Sequence, residues 1–368
     1  MKIRLYRFTL STAFMAALYS PVVNAKVSTS IVPQLTSSLC AEPNLHCAHG
    51  TNGIVIGKTE ELGHYAAVID EAATKFQKHF DIKASLAAVV LGGSVSDKAK
   101  TTLKNEMYRN ILPWLSQTDK KKLIHSSIRS QLQEQMPGAM EEQIENILAA
   151  KMKEIDDGKS NSEATQIEYS ALAHELAHYW FIDGYWKEDA AALSNFEGYG
   201  GPAPDWLDET AAVLAENEAL TRSRRQQLIE KFRENSTDAI WPLTDYFNME
   251  HPRLDLVKQQ KALKRQRKDK STQTTAIFMT ADEVKERAKE NNSRAAGNFY
   301  LQSRGFADFM IETTGNERIF AKIARFIANG GSMADWLKSE GSQQGLPASI
   351  EALEALWLSW LPSRITNL

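Results

Sequence analysis

Cysteine, net charge and long apolar runs are all scarce in this 368-residue chain, and each scarcity narrows what it can be. Two cysteines allow at most one disulfide, so covalent bracing is local. A formal net charge of -3 is close to balance, and nothing global points to a nucleic-acid partner. Beyond residues 8–23 no segment approaches the ~20 apolar residues that a membrane span requires. No internal repeat is visible either.

The chain begins like an export leader. Lys2, Arg4 and Arg7 form a basic start, residues 8–23 are apolar with breaks at Ser11, Thr12 and Ser20, and Val23-Asn24-Ala25 offers small residues to a signal peptidase. Cleavage is expected after Ala25, leaving a soluble mature chain in the periplasm or outside the cell, without a stable membrane anchor. Cys40 and Cys47 follow closely, where an exported chain would place a local disulfide. Cys40, His46, Cys47 and His49 also form a window of metal-ligand types, a weaker reading because thiols in an oxidising compartment usually pair.

The pattern along the mature chain gives an α+β, mainly helical protein. Residues 26–97 read as a small α/β lobe: Gly53-Ile54-Val55-Ile56-Gly57 and residues 85–91 are short apolar runs, with a helix at 60–79 between them. Strand signals then stop, and 98–158 reads as a helical insertion broken at Pro137-Gly138. It could cap a cleft, restrict substrates or mediate dimerisation. Residues 159–368 read as a helical lobe, with Gly315, Gly330-Gly331 and Gly341 as separators. An exposed insertion interrupts it at about 258–290. Its basic run, 258–270, is read first as a solvated stretch and second as a contact for an anionic surface.

The sharpest helix follows Ser160, which has capping-box spacing to Glu163, and is expected to run to Asp183-Gly184. It carries His174-Glu175-Leu176-Ala177-His178. Residues four apart share a helical face, so both imidazoles reach one ion while Glu175, one step round, faces the same side. Zinc suits this arrangement, with three protein ligands and a fourth position left for water. A zinc-bound water has its pKa lowered to ~7, and Glu175 is then placed as general base. Leu172, Leu176 and Trp180 form an apolar stripe on the opposite side, so the helix can face a core and a cleft at once.

The third ligand is more open. Phe181 and Gly184 stand where a metzincin would need Gly and His, so a carboxylate is required. Glu209, in Trp206-Leu207-Asp208-Glu209-Thr210-Ala211-Ala212, is best placed, because Ala211, Ala212 and Ala215 let its helix approach the His helix closely. Glu188, Asp189, Glu197, Asp208 and Glu216 are the other candidates, with Asp208 and Glu216 foremost among them. That second helix is expected to open with Asp205 as N-cap and to continue to about Leu220.

On the His174-Glu175-x-x-His178 and 206–212 motifs the chain resembles the gluzincins, specifically the peptidase MA-like branch related to zinc aminopeptidases. Phe299-Tyr300-Leu301-Gln302-Ser303, residues 306–310, Thr314-Gly315 and residues 357–361 resemble that branch's helical tail. The resemblance covers roughly half of the mature chain; its zinc motif is specific and its tail pattern loose. It implies a mixed sheet lobe and a helical lobe with one zinc ion per chain between them, and hydrolysis of peptides or proteins. It also implies that Tyr300 helps stabilise an oxyanion, and that residues 85–91 form an edge strand which pairs with substrate. Two features depart from the pattern. The Gly-x-Met-Glu-Asn signature of the aminopeptidases does not appear before His174. Val213 stands where thermolysin-type gluzincins place an Asp that orients a histidine, so that role must fall to other residues. The alternative to a peptidase is a catalytically inactive zinc-containing or peptide-binding module of the cell envelope.

Overall fold

Four short strands and twelve α-helices make up the described part of the chain, an α+β architecture dominated by helix. The computed structural model describes residues 37–155, 160–187, 201–235, 240–252 and 296–365, which belong to one compact unit. The expected leader at 1–25 and the basic run at 258–270 lie outside those residues.

The strands β1 (His46–His49), β2 (Gly53–Gly57), β3 (Ala87–Leu91) and β4 (Asn110–Trp114) lie in that order, with β1 antiparallel to β2 and the other neighbours parallel. Helix α1 (Gly63–Phe80) connects β2 to β3, and α2 (Asp97–Asn105) connects β3 to β4. Strand alternation divides the apolar residues between two cores. Val55, Ala87 and Val89 face Ile69, Ala73 and Phe76 of α1, whereas Ile54, Ile56 and Ala88 join Leu103 of α2 and Tyr108. Burial on both faces explains why β2 and β3 read as unbroken apolar runs. Cys40 and Cys47 are joined in the expected local disulfide, tying the turn at Ser38–Ala41 to β1.

The structure corrects two expectations. The stretch after residue 97 is not wholly helical, because β4 lies within it. Its Pro113 stands opposite Val90 in a strand with no partner on its other side among the described residues, a position where a missing backbone N–H is tolerated. For the same reason residues 85–91 do not supply the edge: β3 is internal, flanked by β2 and β4.

Beyond β4, α3 (Gln117–Gln135) and α4 (Glu141–Ile155) form a hairpin broken at the expected Pro137-Gly138, around a small core of Leu132, Ile144 and Leu148. Gly138 adopts φ 99°, which a side chain would resist. Helix α5 (Asn161–Tyr185) opens with the anticipated capping box, Ser160 Oγ accepting from Glu163 N and Glu163 Oε2 accepting from Ser160 N. Its Leu172, Leu176 and Trp180 are fully buried, and the Trp180 indole donates to the Ser85 carbonyl at 2.9 Å. The stripe therefore seats α5 against the sheet and α1, leaving the histidines on the other side.

The helical layer comprises α6 (Asp205–Ala215), α7 (Glu218–Asn235), α8 (Leu243–Asn248), α9 (Ala296–Thr314), α10 (Ile319–Ala328), α11 (Met333–Glu340) and α12 (Ile350–Ile365). Gly305 lets α9 meet α7: a Cβ there would lie 2.2 Å from a Leu228 methyl. Trp206, Tyr246, Phe299, Phe306 and Trp357 build an aromatic core behind α6. Among the described residues no helix is long and apolar enough to cross a membrane.

Candidate metal centre

Helix α5 places His174 and His178 one turn apart, with their Nε2 atoms 3.3 Å from each other. Ala211 and Ala212, both fully buried, let α6 lie close beside α5. Glu209 is thereby brought in, with Oε1 3.4 Å from His174 Nε2 and Oε2 3.9 Å from His178 Nε2. One atom from each of the three residues lies within 4.8 Å of the others, so this buried group could hold a metal ion.

The groups behind the histidines decide what they present in front. His174 Nδ1 lies 2.9 Å from Glu216 Oε1, and His178 Nδ1 lies 2.9 Å from Asp208 Oδ1. A carboxylate only accepts, so the Nδ1 side of each ring faces an acceptor and each Nε2 is turned toward the other ring. Glu209, 1% exposed, adds two oxygens that accept no hydrogen bond among the described residues. Lone pairs at this separation repel one another, and a cation between them turns the repulsion into bonding.

The titration behaviour without an ion points the same way. Burial raises the Glu209 pKa, with His174, His178 and Arg224 only partly opposing it. Burial also disfavours a charge on His178, but Asp208, Glu209 and Glu175 outweigh it and push the imidazole up to about 10. The carboxylates gathered here therefore favour positive charge at His178.

No family model, curated protein or solved structure matches the chain.

Around the three candidate ligands stand the remaining expected residues. Glu175 is half-buried on α5, near enough to His178 to influence its charge. Tyr300 reaches the centre from α9, its ring 5.8 Å from that of His174. The Val213 side chain is wholly buried and apolar; of the other ligand candidates, Asp208 and Glu216 stand behind the histidines, and Glu188, Asp189 and Glu197 lie outside the described residues.

Asp205 is the first residue of α6 rather than its cap, and its carboxylate accepts from the His251 backbone N–H at 2.6 Å. The helix does not run on to Leu220. It stops at Ala215, Glu216 turns to extended backbone, and the Asn217 side chain accepts from Leu220 N to start α7. That break aims the Glu216 carboxylate at His174.

His251 went unrecognised in the sequence. It is 1% exposed, with Nε2 3.6 Å from Glu209 Oε2 and its ring 5.2 Å from that of Tyr300. Only its being one of eight histidines marked it, because it lies far from the motifs in sequence.

Proposed function

We propose that the chain is a zinc-dependent peptidase of gluzincin type, acting outside the cytoplasm, in which His174, His178 and Glu209 hold the ion and Glu175 is the general base. One observation carries this reading. Zinc bonds of about 2.0–2.1 Å in a tetrahedral arrangement put neighbouring ligand atoms about 3.3–3.4 Å apart. Two of the three separations here are 3.3 and 3.4 Å.

Bound zinc would supply Lewis acidity, polarising the scissile carbonyl and lowering the pKa of a water to ~7. The chain's own groups have separate tasks. The Glu175 carboxylate accepts the proton of the attacking water and returns it to the leaving amine. The Tyr300 hydroxyl, on the α9 side of the centre, donates to the oxyanion that develops on the substrate carbonyl. Asp208 and Glu216 hold the imidazoles in the tautomer that leaves Nε2 free. The Cys40–Cys47 disulfide and the leader-like first 25 residues support an oxidising compartment.

The test compares wild type with Glu175→Gln for zinc content and for cleavage of a peptide library. Zinc retained near one per chain, with cleavage reduced about 10²- to 10⁴-fold, is the expected result. Equal cleavage in both proteins overturns the assignment of Glu175. A zinc-loaded wild type that cleaves nothing favours a peptide-binding module.

A further inference from the structure

Glu216 does more than face His174. The Arg224 guanidinium, from the second turn of α7, grips the same carboxylate with two donors, Nε to Oε2 at 2.6 Å and Nη2 to Oε1 at 2.5 Å. Glu216 Oε1 therefore receives both Arg224 and His174 Nδ1. The Cζ of the same guanidinium lies over the Tyr300 ring, 5.0 Å from its centroid. Tyr300 in turn stands 5.8 Å, ring to ring, from His174. Four side chains thus close a loop that begins and ends at one metal-ligand candidate.

We propose that Arg224 is a positioning residue which, by fork and by face, ties the His174 ligand to Tyr300; this rests on the zinc reading above. An ordinary ion pair between the end of α6 and α7 would need neither the histidine nor the tyrosine. Arginine is required because its planar fork satisfies a carboxylate in its own plane while its face stays free to stack, which a lysine ammonium cannot do. Glu216 and Arg224 have side-chain exposures of 0% and 14%, so water competes weakly for either contact. Glu216 cannot swing from His174 without losing Arg224, and Tyr300 cannot shift without uncovering it. The orientation of a ligand and the placement of an oxyanion donor are then set together.

The experiment measures zinc dissociation by competition with a chromogenic chelator, and the visible spectrum of the cobalt(II)-loaded protein, on the purified full chain. Arg224→Met should weaken zinc about 10- to 100-fold, as loss of a group that orients a ligand typically does. Glu216→Gln should do the same, and the double variant should lose little more, because both remove one interaction. Tyr300→Leu should weaken zinc about two- to fivefold in wild type, the scale of one stacked cation, and leave the Arg224→Met background unchanged. Losses that multiply in the double variants, or an Arg224→Met protein with wild-type affinity and cobalt spectrum, overturn the proposal. If Arg224→Met fails to fold, Arg224→Lys keeps the charge without the fork and should still lose at least about threefold with a shifted cobalt spectrum; unchanged values overturn the proposal equally. A wild type that takes no zinc overturns the peptidase reading along with it, whereas a zinc-binding wild type with indifferent Arg224 variants overturns this inference alone.

Discussion

Glu168 and Glu209 are both carboxylates withdrawn from water, 5% and 1% exposed, one on each of the two helices that meet at the centre. Their surroundings differ in kind. Glu168 accepts from the Tyr65 hydroxyl at 2.8 Å, the Trp114 indole at 3.0 Å and the Gln117 backbone N–H at 3.0 Å. These donors come from α1, the end of β4 and the start of α3, so its charge serves as a structural rivet. Among the described residues Glu209 accepts no hydrogen bond, and it faces imidazole nitrogens at 3.4, 3.6 and 3.9 Å. Burial alone does not distinguish a ligand from a strut; what distinguishes them is whether fixed dipoles already satisfy the charge.

The largest expected effect separates the two carboxylates by metal content. Glu209→Ala should fall from about one zinc per chain to nearly none, because three protein ligands are the usual minimum of a catalytic site. Glu168→Ala should keep its zinc. Elemental analysis of both purified proteins reads this directly, and zinc retained in Glu209→Ala would break the distinction.

A smaller effect, of opposite sign at the two positions, belongs to stability in the presence of a chelator. Glu168→Gln should cost about 2–3 kcal/mol, since one of the acceptor oxygens becomes a donor facing donors. Glu209→Gln should stabilise the metal-free protein by about 1 kcal/mol, because it removes a carboxylate whose burial His174, His178 and Arg224 only partly offset. Urea midpoints measure both, and a Glu209→Gln protein less stable than wild type would count against the unsatisfied charge.

The smallest effect concerns a carboxylate of a third kind, satisfied by full charges. Burial alone would raise the Asp308 pKa, but the Arg225 fork at 2.7 and 2.8 Å, together with Arg304, holds it below the usual carboxylate range. Its contribution to stability is complete above the unfolded carboxylate pKa and is lost as pH falls through the lower folded value. Asp308→Asn should therefore be less stable than wild type near neutrality, with the gap closing as the solution is acidified below about pH 4. Thermal melts across that range would show a constant gap if Asp308 were not ionised.

The residues that could hold a metal were legible because helical spacing fixes them: the four-residue step between His174 and His178, and the alanines around Glu209, are local signals. The Leu172, Leu176 and Trp180 stripe was legible for the same reason, and it lies in the core. Strand β4 was not, since five residues holding a proline between helical stretches offer no alternation long enough to read. Val213 announced that something else must orient the histidines, but not what. Asp208 reaches His178 from the first turn of α6, and Glu216 reaches His174 only because α6 ends at Ala215 and the chain turns, a break hidden in an unremarkable run of acidic and apolar residues. Arg224 lay in Thr221-Arg222-Ser223-Arg224-Arg225, outside every motif, and only folding brings it to the Glu216 carboxylate. His251 depended wholly on tertiary folding.

The hairpin of α3 and α4 has a core of three buried residues, Leu132, Ile144 and Leu148, separate from the one that seats α5. So little sequestered surface gives it a low free energy of opening, well under that of the whole chain. Its amides should exchange with solvent through brief excursions in which the rest of the protein keeps its shape, and a protease should nick it there first. Its breathing then leaves the candidate metal ligands in place, provided that the start of α3, where the Gln117 N–H donates to Glu168 of α5, stays closed.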